Sequence, residues 1–240
     1  MTEKIGKTLR RPRLNLTRTL PVPNAYTLAL DGEFAAVAFN EERAPLNRGR
    51  WRSAVFKVGE DVPMDLEIGT GAGTHFAHYA KARPERMVVG LEVKYKPLIQ
   101  TIRRAVVGGS KNAAVARFHA FDVADLFSEG EINNVFIHFP DPWTSPKKPR
   151  NRVVSEQILR QLHALQRPGS IIEFKTDSRE YFLWALEEIE RSPYKVLFQT
   201  LDLHHDPAGA QAKAENFKTT FENIFVRQGI PINFIRLLRE

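Results

Sequence analysis

The 240-residue sequence contains no cysteine, which excludes a disulfide framework and cysteine-ligated zinc and suits a reducing cytosol. It has no run of 18 apolar residues and no signal-peptide core after Met1, so neither membrane spanning nor secretion is expected and the protein reads as soluble and cytoplasmic. No internal repeat, low-complexity tract or linker marks a second domain. His75 and His78, and the loop group His204, His205 and Asp206, lack a further run of ligands, so no metal site is expected. A glycine is missing as well. The run Gly69, Gly71, Gly73 is followed by Thr74, where a nicotinamide fingerprint places its third glycine.

Positive charge is plentiful: 35 Lys and Arg against 28 Asp and Glu give a net charge of +7, which favours a polyanionic partner. The charge is clustered. Lys4, Lys7, Arg10, Arg11, Arg13 and Arg18 face a single acid, Glu3, and Lys147, Lys148, Arg150 and Arg152 follow a proline-rich turn. Residues 1 to about 24, with Pro12, Pro21 and Pro23 and little periodicity, read as an extended arm that could order on a partner. Residues 26–57 carry short apolar groups without a decisive period. Residues 1–60 are therefore expected to be a basic arm and lead-in, and residues 61–240 the main domain.

Within 61–240 the pattern alternates. Strands are expected at 62–68, 87–92, 115–120, 134–139 and 170–175, with helices near 74–83, 95–107, 153–166 and 178–191, which implies an α/β fold with a doubly wound, mostly parallel sheet. Further on come a strand at 195–201, a helix at 216–228 and a strand at 231–238, a pair of strands suited to extending the sheet edge in antiparallel fashion.

In open α/β sheets ligands bind beyond the carboxyl ends of the strands. The glycine run at 69, 71 and 73 lies there, between an apolar strand and a helix start, where positive φ and free N–H groups admit a nucleotide-bearing cofactor. Glu67 precedes it, and Glu92, twenty-five residues on, suits a carboxylate that accepts ribose hydroxyls. Asp122, Asp141 and Asp177 close the next three strands. So many carboxylates at one edge repel unless ligands or basic partners offset them, although Asp122 and Asp177 also suit helix N-caps. In Phe139-Pro140-Asp141-Pro142-Trp143 two prolines hold an acid beside a flat aromatic surface, which suits nucleobase recognition.

The ordered set EIGTGAG, GLEV, FPDPW, FKTD and TTFE, with LDLHH at 201–205 and FENIFVRQGIPI at 221–232, resembles the bacterial tRNA (guanine-N(7))-methyltransferases over about residues 64 to 238. The glycine turn is shared by many methyltransferases, whereas PDPW with KTD and TxFE is far more specific. The resemblance implies a class I methyltransferase sheet that uses S-adenosylmethionine to methylate guanine 46 in the tRNA variable loop, as a monomer or homodimer. It makes Glu67, Gly69, Gly71, Gly73, Glu92, Asp122 and Asp141 the cofactor contacts, Asp141 also the catalytic acid, and Asp177, Thr219, Thr220, Phe221 and Glu222 the substrate side. Members usually carry a lysine four positions after the PDPW aspartate; here Ser145 stands there, and a two-residue shift makes Lys147 the candidate. That departure keeps open a catalytically altered RNA-binding protein, or a methyltransferase for another RNA position.

Overall fold

A computed structural model describes residues 14–144 and 149–240. Every residue of β2 (Met64–Ile68), β3 (Met87–Leu91), β4 (Ala113–Ala116) and β5 (Val135–His138) is buried, as parallel strands covered on both faces must be. With β1 (Ala38–Phe39), β6 (Ile171–Thr176), β7 (Lys195–Thr200) and β8 (Asn233–Leu238) they form an eight-stranded sheet in the order β1-β4-β3-β2-β5-β6-β8-β7. Pairing is parallel from β1 to β6. β8 inserts between β6 and β7 and runs antiparallel to both. Strand order reverses between β2 and β5, so the turns that follow these two neighbours leave toward opposite faces and open a crevice between them.

Successive residues of a strand supply the two faces. On one side Val88, Ala113 and Val115 pack against α1 (Ala25–Asp31), α2 (Thr74–Ala82) and α3 (Tyr95–Val107) through Leu30, Phe76, Leu98 and Ile102. On the other, Leu66, Val89, Ile137 and Phe174 meet α4 (Glu156–Leu165), α5 (Arg179–Glu190) and the π-helix Trp51–Phe56. Each such fully buried large side chain contributes about 1.5–3 kcal/mol. A third cluster, Leu203, Ala212, Ile232 and Phe234, holds α6 (Ala210–Glu215) and α7 (Thr220–Arg227) against the β7–β8 edge.

Several expectations are corrected. The third strand of the domain, expected at 115–120, is Ala113–Ala116; the chain then passes through two short 3-10 turns within Ala120–Asp125, and Asp122 sits at the kink between them rather than at a strand end. The expected helix at 216–228 is confined to α7, Thr220–Arg227, because Thr219 and Glu222 form a reciprocal capping box that starts it there; a separate helix, α6, ends at Glu215, before the expected bounds. Ser178, not Asp177, caps α5, accepting from the Tyr181 N–H at 3.2 Å. The lead-in supplies β1, which pairs with β4, and Trp51, whose Nε1 donates to the Leu126 carbonyl at 2.8 Å in the core. Within the expected arm, residues 17–19 form a 3-10 turn packed on the domain with Thr17 buried; residues 1–13, with five of its six basic residues, lie outside the described residues. Among the described residues no helix is long and apolar enough to cross a membrane.

Candidate active site

After β2 the chain turns through Gly69, Gly71 and Gly73 at φ of +78°, +53° and +75°, a region that favours glycine. At Gly73 a Cβ would meet the Thr101 backbone at 2.5 Å, so this glycine lets α2 pack on α3. At Gly69 and Gly71 a Cβ would meet nothing within 4 Å; that stretch is open backbone which a ligand can approach. Glu92, just past β3, turns back to the loop: Oε2 accepts from Gly71 N–H at 3.1 Å, and Oε1 from Val93 and Lys94 N–H at 2.8 and 3.0 Å. Burial pushes its carboxyl above the usual range, against the pull of those three donors. Glu67 is buried beneath the loop and pairs with His75 Nδ1 at 2.7 Å. Asp122 is exposed.

Across the crevice, β5 leads into Phe139-Pro140-Asp141-Pro142-Trp143. Phe139 and Trp143 adopt φ of +52° and +45°, conformations that a non-glycine residue holds only where its surroundings impose them. Two surroundings are visible. Phe139 N–H donates to the Lys175 carbonyl at 2.8 Å, and Arg152 Nε donates to the Pro142 carbonyl at 2.8 Å. Arg152 is only 3% exposed, pairs with Glu180 at 2.6 Å and lies over Tyr181 and Trp184. It is a brace for this loop and not a member of the exposed basic cluster in which the sequence placed it. Arg150 remains exposed; Lys147 and Lys148 lie outside the described residues. Asp141 is exposed at the tip of the braced turn.

The TTFE segment reaches this crevice through α7. Thr220 Oγ1 lies 2.9 Å from Thr74 Oγ1, which ties the start of α7 to the start of α2, and Phe217 stacks on His78 at 3.7 Å. Thr220 is exposed and Phe221 is 53% exposed. Thr219 and Glu222 differ from expectation because both face inward. Glu222 is 0% exposed; Oε2 accepts from Lys175 Nζ at 2.8 Å, and Oε1 from Asn216 Nδ2 at 2.6 Å and His204 Nε2 at 2.9 Å. Burial opposes its ionisation, yet Lys175, Asn216 and His204 together hold its carboxyl below the usual range. Its place is to hold α7 on the sheet rather than to touch a substrate. Asp177, half-buried after β6, has its carboxyl raised by burial against one backbone N–H.

Two inward side chains join the site without being found in the sequence. His138 closes β5 and is the register partner of Lys175 on β6. It lies edge-on to His75 at 4.4 Å, and neither of its ring nitrogens has a hydrogen-bond partner among the described residues. Burial first, then the Lys175 and His75 charges, push its pKa well below that of a free histidine. Each lies near the end of its strand, and only the sheet register makes them neighbours. No group of three or more His, Asp or Glu among the described residues could hold a metal. An open glycine backbone beside a carboxylate with remaining acceptor capacity does fit the ribose end of a nucleoside cofactor.

A family model described as "Putative methyltransferase" matches residues 61–234. The tRNA (guanine-N(7)-)-methyltransferase of Bdellovibrio bacteriovorus is 62% identical over 210 residues, which cover 88% of this chain and 99% of that protein. The enzyme of the same description from Lacticaseibacillus casei is 29% identical over 182 residues, 76% of this chain and 82% of that one. In fold, the chain is similar to a SAM dependent methyltransferase from Aquifex aeolicus, with a TM-score of 0.52 at 12% identity over 75% of this chain and 84% of that one.

Proposed function

The chain belongs to the tRNA (guanine-N(7)-)-methyltransferase family, and from that premise we infer that it transfers a methyl group from S-adenosylmethionine to nitrogen 7 of a guanine in tRNA, the guanine being position 46 of the variable loop. The observation that carries this reading is the reversal of strand order between β2 and β5. It brings the open glycine turn beside the braced acid Asp141, with α7 tied across the gap at Thr74 and Thr220.

S-adenosylmethionine supplies an electrophilic methyl group on a sulfonium centre. Gly69 and Gly71 would line its methionine and ribose end, with Gly73 setting the turn; Glu92 would accept hydrogen bonds from the ribose hydroxyls, Asp122 would complete that side, and Glu67, buried on His75, would support the loop from beneath. Guanine nitrogen 7 has an in-plane lone pair and no proton, so the chain needs neither a general base nor a metal. Its task is alignment. Trp143 gives the purine a surface on which to stack, and Asp141 accepts from the donor edge of guanine while opposing the positive charge that develops on the ring. Asp177, Thr220 and Phe221 form the substrate-side wall. Arg150, Lys147 and the basic residues 4–13 hold phosphates, an affinity that weakens steeply with salt.

The test is methyl transfer from labelled S-adenosylmethionine to unmodified tRNA, followed by nuclease digestion and mapping of the modified position. 7-Methylguanosine at position 46 is the expected product. Label on another base or another atom would overturn the assignment.

A further inference from the structure

Between Glu92 and Asp122 the sheet edge carries a buried cation that the reading above leaves without a role. Arg117, the first residue after β4, is 6% exposed. Its Nε donates to the Val93 carbonyl at 3.1 Å, and its Nη1 to the Asn15 carbonyl at 2.9 Å and to Glu41 Oε2 at 2.8 Å, while the guanidinium lies 4.1 Å over the Tyr95 ring. Glu41 also accepts from the backbone N–H and the hydroxyl of Thr17, the latter at 3.0 Å. Thr17 Oγ1 in turn lies 2.9 Å from the Tyr95 hydroxyl.

The consequence is local to Glu92. Val93 N–H fills Glu92 Oε1, and Arg117 holds the carbonyl of the same residue, so the turn that orients the Glu92 carboxylate is fixed from both sides. The partners that hold Arg117 come from residues 15–17 and 41. Residues 15–17 belong to the arm whose basic composition pointed to a polyanionic partner.

We propose that Arg117 is a positioning residue for S-adenosylmethionine, held by a strap of residues 15–17, so that the N-terminal segment divides into a strap that serves the cofactor and a basic stretch before it that serves RNA. The proposal rests on the assignment of Glu92 to the cofactor. Chains lacking residues 1–13 and 1–20 separate the two parts, and Thr17→Val removes the hydroxyl bonds while keeping shape. Dissociation of labelled S-adenosylmethionine by equilibrium dialysis is measured with KM for cofactor, KM for tRNA, kcat and the melting temperature.

The chain lacking 1–13 keeps wild-type cofactor affinity. Thr17→Val and the chain lacking 1–20 lose about fivefold to tenfold, the loss of roughly one net hydrogen bond, with KM for cofactor raised and kcat at saturating cofactor unchanged. Thr17→Ser restores binding. Wild-type cofactor affinity in both Thr17→Val and Arg117→Lys would overturn the proposal, as would a rise in KM for tRNA equal to that for cofactor, which would mark a merely structural role. A wild-type chain that binds no S-adenosylmethionine would instead overturn the assignment of function on which the proposal rests.

Discussion

Lys175→Met is the most demanding perturbation of the substrate side. The Lys175 ammonium is 1% exposed and sits 2.8 Å from the fully buried Glu222 carboxylate. Removing one partner of a buried pair costs about 3–5 kcal/mol, because the other charge is left uncompensated. Asn216 and His204 still donate to Oε1, and the Thr219 N–H approaches Oε2 at 3.4 Å, so a loss near the low end, about 3 kcal/mol, is expected. The pH dependence changes sign. In the wild type the Glu222 carboxyl is held below its ordinary value, so its contribution is complete above the unfolded pKa and is lost as pH falls through the folded one. Without Lys175 burial dominates and raises the carboxyl, so the variant loses stability as pH rises above the unfolded value. Urea unfolding at pH 5 and pH 7.5 tests both points: the deficit of Lys175→Met should be larger at pH 7.5, and Lys175→Met with Glu222→Gln should recover most of it. A deficit below about 1 kcal/mol, or one equal at the two pH values, would refute the reasoning. With α7 loosened from β6, kcat/KM for tRNA should fall more than cofactor affinity.

Asp141→Ala, at an exposed tip, should fold and bind S-adenosylmethionine normally while losing about two to three orders of magnitude in kcat, the scale for removing one group that stabilises transition-state charge; activity within threefold of wild type would remove this acid from the mechanism. Because burial raises the Glu92 carboxyl, wild-type cofactor affinity should fall on acidification at a pH above the ordinary carboxylate range, whereas Glu92→Gln should bind more weakly with no such fall; dialysis from pH 7.5 downward checks it. His138 is kept neutral when folded, so as pH drops below about 6.5 the unfolded chain takes a proton that the folded one refuses, a loss of up to about 1.4 kcal/mol per pH unit. His138→Phe should lack that component in urea titrations, and parallel pH slopes for the two proteins would contradict it.

The central strands were legible because a strand buried on both faces must be apolar throughout, as Met87–Leu91 is. The motif loops were legible because they follow such strands. Where β4 stops was not: residues 113–120 continue an apolar pattern, but Arg117 turns inward to partners at residues 15, 41 and 93, and the chain leaves the sheet. β1 is only two residues long and its neighbour is a π-helix, too short and too irregular for any period to register. Arg152 read as surface charge because nothing local announces Glu180 or the Tyr181 and Trp184 rings. Glu222 read as a ligand for the same reason, since its partners come from residues 175, 204 and 216. Charged residues revealed their type in the sequence, but long-range pairing decided which way each one faced.

The insertion of β8 between β6 and β7 also sets an order of assembly. During synthesis from the N-terminus, β3, β4, β5 and β6 each find a neighbour already made, β4 also taking up the waiting β1, and the glycine turn, Glu92 and Asp141 all lie within that part. β7 emerges next with no neighbour to join, because the strand that must separate it from β6 is made later. Val196 and Leu197, both exposed on β7 even in the finished sheet, therefore wait on an unpaired edge, a stage at which strands are prone to pair with other chains. The cofactor half of the crevice is ready first, and the wall built on α7 closes only when β8 slots home.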